Sequence, residues 1–437
     1  MRFTALSVTL FATGLLGMSA AQAQTEIQWW HSMTGALGDK VNEIANGFNT
    51  SQKDFKVVPV YKGAYPESMT AAIAAFRAGN APHILQVFEV GTATMMAAKG
   101  AIKPVYLMMK EANQPFDAKN YLPAVAGYYT DSTGNMLSLP FNSSTPVFYI
   151  NKDAFKKAGI NPDPAPKTWK EFAVAAGKLK AAGQSCVYST GWPSWVHVEN
   201  FSAWHNLPIG TKSNGFDGLD TQFTVNSPEH VAHIAMLADF AKQGWFTYSG
   251  KRNEAEARFF SGECAMLTSS SGAQANIRKN AKFDFSVNFL PYNDAIKGAP
   301  QNSIIGGATL WVMSGKKPAE YNGVTKFFAY LSSTDVQVNW HQSTGYVPIT
   351  NAAFEATKKS GYYEKNPGTD IAIRQLGNKP PTANSKGLRF GNFVQGRDVI
   401  EEEMEAVFAG KKEPKAAMDE AVKRANEILR KFEAANK

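Results

Sequence analysis

The chain has 437 residues, with 45 Lys and Arg against 37 Asp and Glu for a formal net charge of +8, and 44% of it is hydrophobic. That length exceeds what one ordinary core organises, so two domains are expected. The cations are scattered among acids on helical faces, which reads as solvated surface and argues against a nucleic-acid partner.

The first 23 residues carry one charge, Arg2, an apolar run from Phe3 to Leu16, and the small-x-small pattern Ala21-Gln22-Ala23. This reads as a secretory signal peptide (1–23) cut after Ala23, with a periplasmic destination. No later stretch is apolar enough to span a bilayer, so the protein is not expected to be membrane-embedded. Strand and helix then alternate. "EIQWW" (26–30) reads as a strand, and Val41, Ile44, Ala45 and Phe48 share one helical face. "KVVPVY" (56–61) is a second strand, "ESMTAAIAAFRAGN" (67–80) a helix closed by Gly79-Asn80, and "HILQVFE" (83–89) a third strand. Repeated β-α-β order predicts a mostly parallel sheet covered by helices.

"PFNSSTPVFYINKDAFKKAG" (140–159) looks like a join. Three hydroxyls, Ser143, Ser144 and Thr145, precede a proline that cannot donate a backbone hydrogen bond, and a second strand follows at once. Beyond it, Thr168 is placed to cap "WKEFAVAAGKLKAAG". Strands are expected at 185–190, 263–269 and 285–291, and an amphipathic helix at 227–244. Gly306-Gly307 interrupts a strand-like run at 303–314, where a bulge or close backbone approach is expected. The last helix places Met418, Ala421, Val422, Ala425, Ile428, Leu429 and Phe432 on one face. Cys186 and Cys264 are compatible with one disulfide, although spacing does not fix how closely their Cα atoms approach.

Catalytic signatures are missing. The sequence contains no G-x-G-x-x-G, Walker, G-x-S-x-G or H-E-x-x-H motif, so neither cofactor nor metal is expected. His230 and His233 stand three apart on a helix and, lacking a third ligand nearby, read as a surface pair. Carboxylates are plentiful, which leaves a glycosidase-like pair open.

"NKDAFKKAGINPDPAPKTWKEF" (151–172) resembles the signature of the family 1 extracellular solute-binding proteins, the relatives of maltose-binding protein. "WWHSMTGALG", "LPFNSSTPV", "IIGGATLWVM", "HQSTGYVPIT" and "YYEKNPGTDIAIRQL" run in order through the chain around it, and the set is similar to the glycerol-3-phosphate-binding members of that family. The resemblance implies an α/β, two-lobed periplasmic-binding-protein fold of type II, with three inter-lobe crossings near Ser144, Gly306 and Tyr346. One lobe would comprise 24–143 and 306–345, the other 144–305 and 346–437. It further implies a monomeric, non-enzymatic receptor for glycerol-3-phosphate and glycerophosphodiesters such as glycerophosphocholine. Its partners would be ABC importer permease subunits with a cytoplasmic ATPase.

The same resemblance implies eight ligand-binding residues. Tyr65 reaches the ligand from the first lobe, Glu89 accepts from glycerol hydroxyls, and Ser144 donates at the first crossing. Trp192 walls the glycerol carbons, Ser270 and the Gly307 N–H contact the phosphate, and Tyr346 and Arg397 complete the anion site. A phosphate offers only acceptors, so neutral donors and one planar guanidinium suit it. On this reading Arg397 is the one full positive charge assigned to the phosphate, and the Glu89 and phosphate ends point apart. Each residue also has a plainer role: a turn cap for a serine at a strand end, Ser144 or Ser270, a backbone requirement for Gly307, core for Trp192, and surface pairing with Asp398 or Glu401 for Arg397. A neutral-sugar receptor and a secreted phosphoester hydrolase are the rival functions.

Overall fold

Ten strands, numbered along the chain, divide between two sheets in a computed structural model that describes residues 24–437 apart from Lys99; the expected signal peptide lies outside the described residues. The strands are β1 (Thr25–His31), β2 (Phe55–Tyr61), β3 (Ile84–Phe88), β4 (Ile102–Lys103) and β5 (Leu139–Ser144). The remainder are β6 (Pro146–Asn151), β7 (Cys186–Thr190), β8 (Cys264–Ser270), β9 (Phe285–Asn288) and β10 (Gly306–Met313). The first sheet has the order β2-β1-β3-β10-β4 with β5 on β10, and the second has β7-β8-β6-β9. Each is the centre of one lobe of a two-lobed α/β fold.

As the sequence leads one to expect, the strands of each sheet mostly share one direction, and a single strand in each is reversed, β10 in the first and β6 in the second. β1 runs parallel to β2 and β3, but β10 is antiparallel to β3, β4 and β5, and β6 is antiparallel to β8 and β9. The reason lies in the connections: β10 enters the first sheet from the second lobe, and β6 leaves β5 with only Thr145 between them. Neither strand follows a β-α-β crossover, so neither is held to the parallel direction.

Thr145 is also where passages between the sheets meet. Its hydroxyl bonds Ser303 Oγ at 2.7 Å and the Ile304 carbonyl at 3.0 Å, Ser144 pairs with Gly306, and the Val347 N–H donates to the Ser143 carbonyl at 2.9 Å. Pro146 needs no donor here; its carbonyl accepts from Gln375 Nε2 at 2.7 Å. The stretch just past Tyr346 stays against the first lobe, because helix Asn351–Lys359 packs on helix Thr334–Thr344 and Thr350 bridges Tyr121.

Local signals land where expected. Thr168 and Glu171 form a reciprocal capping box at the start of helix Trp169–Ala181. Val41, Ile44, Ala45 and Phe48 form the buried face of helix Gly35–Ser51. Helix Pro414–Asn436 buries Met418, Ala421, Ala425, Leu429 and Phe432, while Val422 and Ile428 are only half-buried. Cys186 and Cys264 are register partners on adjacent β7 and β8, with Cα atoms 4.4 Å apart, and form a disulfide. Closing a loop of 78 residues restrains the unfolded chain by about 4.5 kcal/mol on the chain-entropy model.

His230 and His233 are not a surface pair. Both are buried, on the inward face of helix Pro228–Lys242, where they join His197 and His205 around Phe201. Among the described residues, no helix is long and apolar enough to cross a membrane.

Candidate ligand-binding site

The residue after a strand is the natural place for a ligand contact in an α/β fold, because it leaves the sheet at the edge facing the crevice. Glu89 follows β3, Ser144 and Ser270 end β5 and β8, and Trp192 follows β7 by two residues. β10 runs the other way, so its start, Gly306-Gly307, reaches the same edge opposite Ser144 and Ser143. The edges meet around a cavity of about 130 Å³ that is lined by all eight residues singled out from the sequence.

Donors face one side. The Tyr65 hydroxyl accepts from Asn142 Nδ2 at 2.9 Å, whose Oδ1 accepts from Gln86 Nε2 at 2.8 Å, whose Oε1 accepts from the Ser32 N–H at 2.8 Å. The relay occupies the phenol oxygen as an acceptor and leaves its proton to give. Tyr65 also stacks on Phe88, with centroids 5.0 Å apart. Tyr346 is stacked on Trp340, and Trp340 on Phe141, which fixes its ring. Gly272 permits that position, since a Cβ there would fall 2.7 Å from the tyrosine ring. Ser270 does cap a turn, accepting from the Gly272 N–H at 3.1 Å, yet its own proton remains to donate. Gly307 is required by the backbone: φ is +88° and a Cβ would lie 1.8 Å from the Asn142 carbonyl oxygen.

Arg397 behaves differently from its sequence reading. It is 2% exposed on helix Phe393–Phe408 and does not pair with Asp398 or Glu401. Nε and Nη2 donate to the two oxygens of Glu199 at 2.8 and 2.6 Å, and Nη2 also donates to Glu89 at 2.6 Å. Glu199, on the π-helical turn Trp195–Asn200, is fully buried. The expectation that Arg397 and Glu89 would serve separate ends is therefore overturned, because a buried guanidinium collects the buried carboxylates within its reach. Burial works against the Arg397 charge, but Glu199 and Glu89 hold its pKa above the ordinary value. Burial pushes Glu89 up, against the pull of Arg397. Three guanidinium donors are engaged; the two on Nη1 have no partner among the described residues.

Nor is Arg397 the one cation at the cavity. Arg252 also lines it, bonded to Asp398 and Glu401, each at 2.9 Å, with its guanidinium 5.7 Å from the Trp192 ring centroid. Trp192 is half-buried at a left-handed φ of 53°, uncommon for a bulky residue. Sequence reasoning missed Asn142, Trp195, Glu199, Arg252 and Glu256. Asn142 stood inside the hydroxyl-rich run already singled out, and Trp195 and Glu199 inside an aromatic stretch without periodicity. Arg252 and Glu256 carry no local signal.

A two-lobed α/β fold closing donors and an acid around one small cavity defines a solute-binding protein. The model for bacterial extracellular solute-binding proteins matches residues 43–369, and the chain belongs to that family. Among its relatives, the sn-glycerol-3-phosphate-binding periplasmic protein UgpB of Yersinia pseudotuberculosis is 57% identical over 418 residues, 95% of each chain. UgpB of Salmonella paratyphi A is 55% identical over 438 residues, covering 100% of this chain and 99% of its own. The crystal structure of UgpB from Mycobacterium tuberculosis in complex with glycerophosphocholine superposes with a TM-score of 0.77 at 21% identity, covering 93% of this chain and 99% of that one. Maltose-bound MalE3 of T. maritima gives a TM-score of 0.75 at 18% identity, over 92% and 99% of the two chains. At those identities the superpositions speak to fold.

Proposed function

We propose that this chain is the periplasmic receptor of an ABC importer, capturing sn-glycerol-3-phosphate and glycerophosphodiesters such as glycerophosphocholine and delivering them to the membrane permease without covalent change. The observation that carries the reading is the near-full-length identity of 57% to a periplasmic protein that binds sn-glycerol-3-phosphate. The cavity suits such a ligand. Around Arg397 two carboxylates outnumber one guanidinium, so that end is suited to glycerol hydroxyls, which give protons to Glu89 and take them from Nη1. The phosphate belongs at the other end, against Tyr65, Ser144, Ser270, Tyr346 and the Gly307 N–H, where charge is met by neutral donors. Trp192 closes over the carbon chain.

The lobes proposed are 24–143 with 306–345 and 144–305 with 346–437, the stretch 346–365 keeping contacts to both. Ligand held by one lobe shifts the open–closed equilibrium through contacts that the other makes only when closed. Calorimetric titration of the purified protein with sn-glycerol-3-phosphate, glycerophosphocholine and maltose tests the reading. Saturable binding of the first, recovered unchanged, is expected. Binding of maltose alone would establish the neutral-sugar reading, and release of inorganic phosphate would establish a hydrolase.

A further inference from the structure

Among the described residues, Glu256 is the one carboxylate on the cavity wall that has no cation. It sits on helix Glu254–Phe260, is 6% exposed, and lines the cavity beside Ser270, Gly272 and Tyr346. Its Oε1 accepts from Ser269 Oγ at 2.8 Å. Among the described residues, no Lys, Arg or His nitrogen comes within 4.0 Å of it. Arg252, four residues before it, is turned to Asp398 and Glu401, and Arg397 is held by Glu89 and Glu199.

The other groups facing Glu256 are equally unable to neutralise it. Its own helix start supplies Asn253 and the acid Glu254; β8 supplies Ser269; Tyr346 and Tyr149 present neutral phenols. Arg278 on helix Gln274–Asn280 is bonded to Gln274 and the Gln342 carbonyl. A negative charge on Glu256 would therefore face a bound phosphate with nothing between them but hydroxyls, an arrangement that would cancel much of what those donors contribute.

We propose that Glu256 enters the complex as a neutral carboxylic acid and donates its proton in a hydrogen bond to a phosphate oxygen of the ligand. The proposal rests on the glycerol-3-phosphate reading above. Burial pushes the Glu256 carboxyl up to about 7, so the proton is available near neutrality. The balance is simple: above pH 7 the free protein has lost this proton and the ligand phosphate is a dianion, so binding takes one proton from solvent onto Glu256. A protonated acid serves phosphomonoesters and phosphodiesters alike, since the diester has no second proton to give.

Calorimetry of sn-glycerol-3-phosphate and glycerophosphocholine at pH 6.5, 7.5 and 8.5, in buffers of different ionisation enthalpy, reads both affinity and protons. The expected result is uptake approaching one proton at pH 8.5 for both ligands, with affinity falling about tenfold per pH unit above about 7. Glu256→Gln, which keeps a donor without a titrating proton, should bind at every pH and lose the slope. Wild-type affinity that stays flat without proton uptake would overturn the assignment, as would a Glu256→Gln protein with an unchanged slope. Uptake with glycerol-3-phosphate but none with glycerophosphocholine would place the proton on the phosphate and overturn it too. Wild-type protein that binds neither ligand at any pH would instead reject the receptor reading itself.

Discussion

Arg397 shows how far a residue's role depends on what surrounds it. With Glu199 and Glu89 within 2.6 Å and all three nearly fully buried, its charge is part of the fold as well as of the cavity. Arg397→Ala strands two buried carboxylates, a loss on the order of 3–5 kcal/mol of stability before ligand is considered. Its ligand-free thermal melt should fall clearly below the parent's, and glycerol-3-phosphate binding should be lost. Arg397→Lys should recover only part, because an ammonium cannot match Glu199 bidentately. Glu89→Gln leaves the Arg397–Glu199 fork intact. It should melt close to the parent while binding weakens by about 1.5–3 kcal/mol in calorimetry. A normal melt for Arg397→Ala would show that the cluster carries no structural weight. The sequence made Arg397 and Glu89 visible as candidate ligand contacts through the motifs around them, but not as each other's partner. That pairing spans 308 residues and depends on Glu199, a third residue in a stretch with no periodic signal.

Elements were more legible than contacts, for a physical reason. Helix faces such as Val41–Ile44–Ala45–Phe48 and caps such as Thr168–Glu171 are set by neighbours in sequence. The reversal of β10 and β6 was not, since both take their direction from passages between lobes. The histidines of helix Pro228–Lys242 illustrate a related limit, because spacing gave their face but not which side was buried. In the cluster, His205 Nδ1 faces the Phe201 carbonyl at 2.7 Å and Nε2 accepts from the Asn293 N–H at 2.8 Å, so only the neutral ring satisfies both contacts. Burial holds His205 and His230 down at about 4 and His197 at about 3, and lowers His233 well below the ordinary value. The unfolded chain takes protons near pH 6.5 that these folded sites refuse, so their contribution is complete above that pH and lost as pH falls toward 4. Glu256 and Glu401, both pushed up to about 7 by burial, act in the opposite sense: their contribution is present below about 4.5 and fades as pH rises through 7. With His31, His83 and His341 lowered as well and Glu89 raised, the lowered histidines still outnumber the raised acids, which leaves a net loss on acidification. Thermal melts should drop between pH 6.5 and 5, and His205→Gln should flatten that slope by about one proton, or about 1.4 kcal/mol per pH unit. An unchanged slope would show that His205 titrates normally.

At the scale of the whole molecule, function depends on the two lobes meeting, and one place where they touch lies at the edge of the cavity, where Asn276 lines it. Helix Gly35–Ser51 connects strands of the first sheet, and helix Gln274–Asn280 connects strands of the second. They meet where the Ala36 N–H donates to Asn276 Oδ1 at 3.1 Å and Lys279 reaches Asp39 at 3.0 Å. The ion pair is exposed and screened, so it contributes little. The closer restraint is steric. Gly35 has φ +55°, and a Cβ there would fall 2.8 Å from Asn276 Oδ1, tighter than ordinary contact allows. In Gly35→Ala the backbone strain is present whether the lobes are apart or together, and so cancels in the closing equilibrium. The collision with Asn276 arises only on closure and does not cancel. An overpacked contact of that kind costs about 1–2 kcal/mol, which should weaken glycerol-3-phosphate binding roughly five- to thirtyfold. Small-angle scattering at a ligand concentration that saturates the parent should show a larger radius of gyration for Gly35→Ala. Lys279→Ala should stay within about threefold of the parent, because only a screened pair is removed. If Gly35→Ala binds as tightly as the parent and compacts equally on ligand addition, these helices do not meet in the liganded state. Closure would then have to be driven by the other cavity residues.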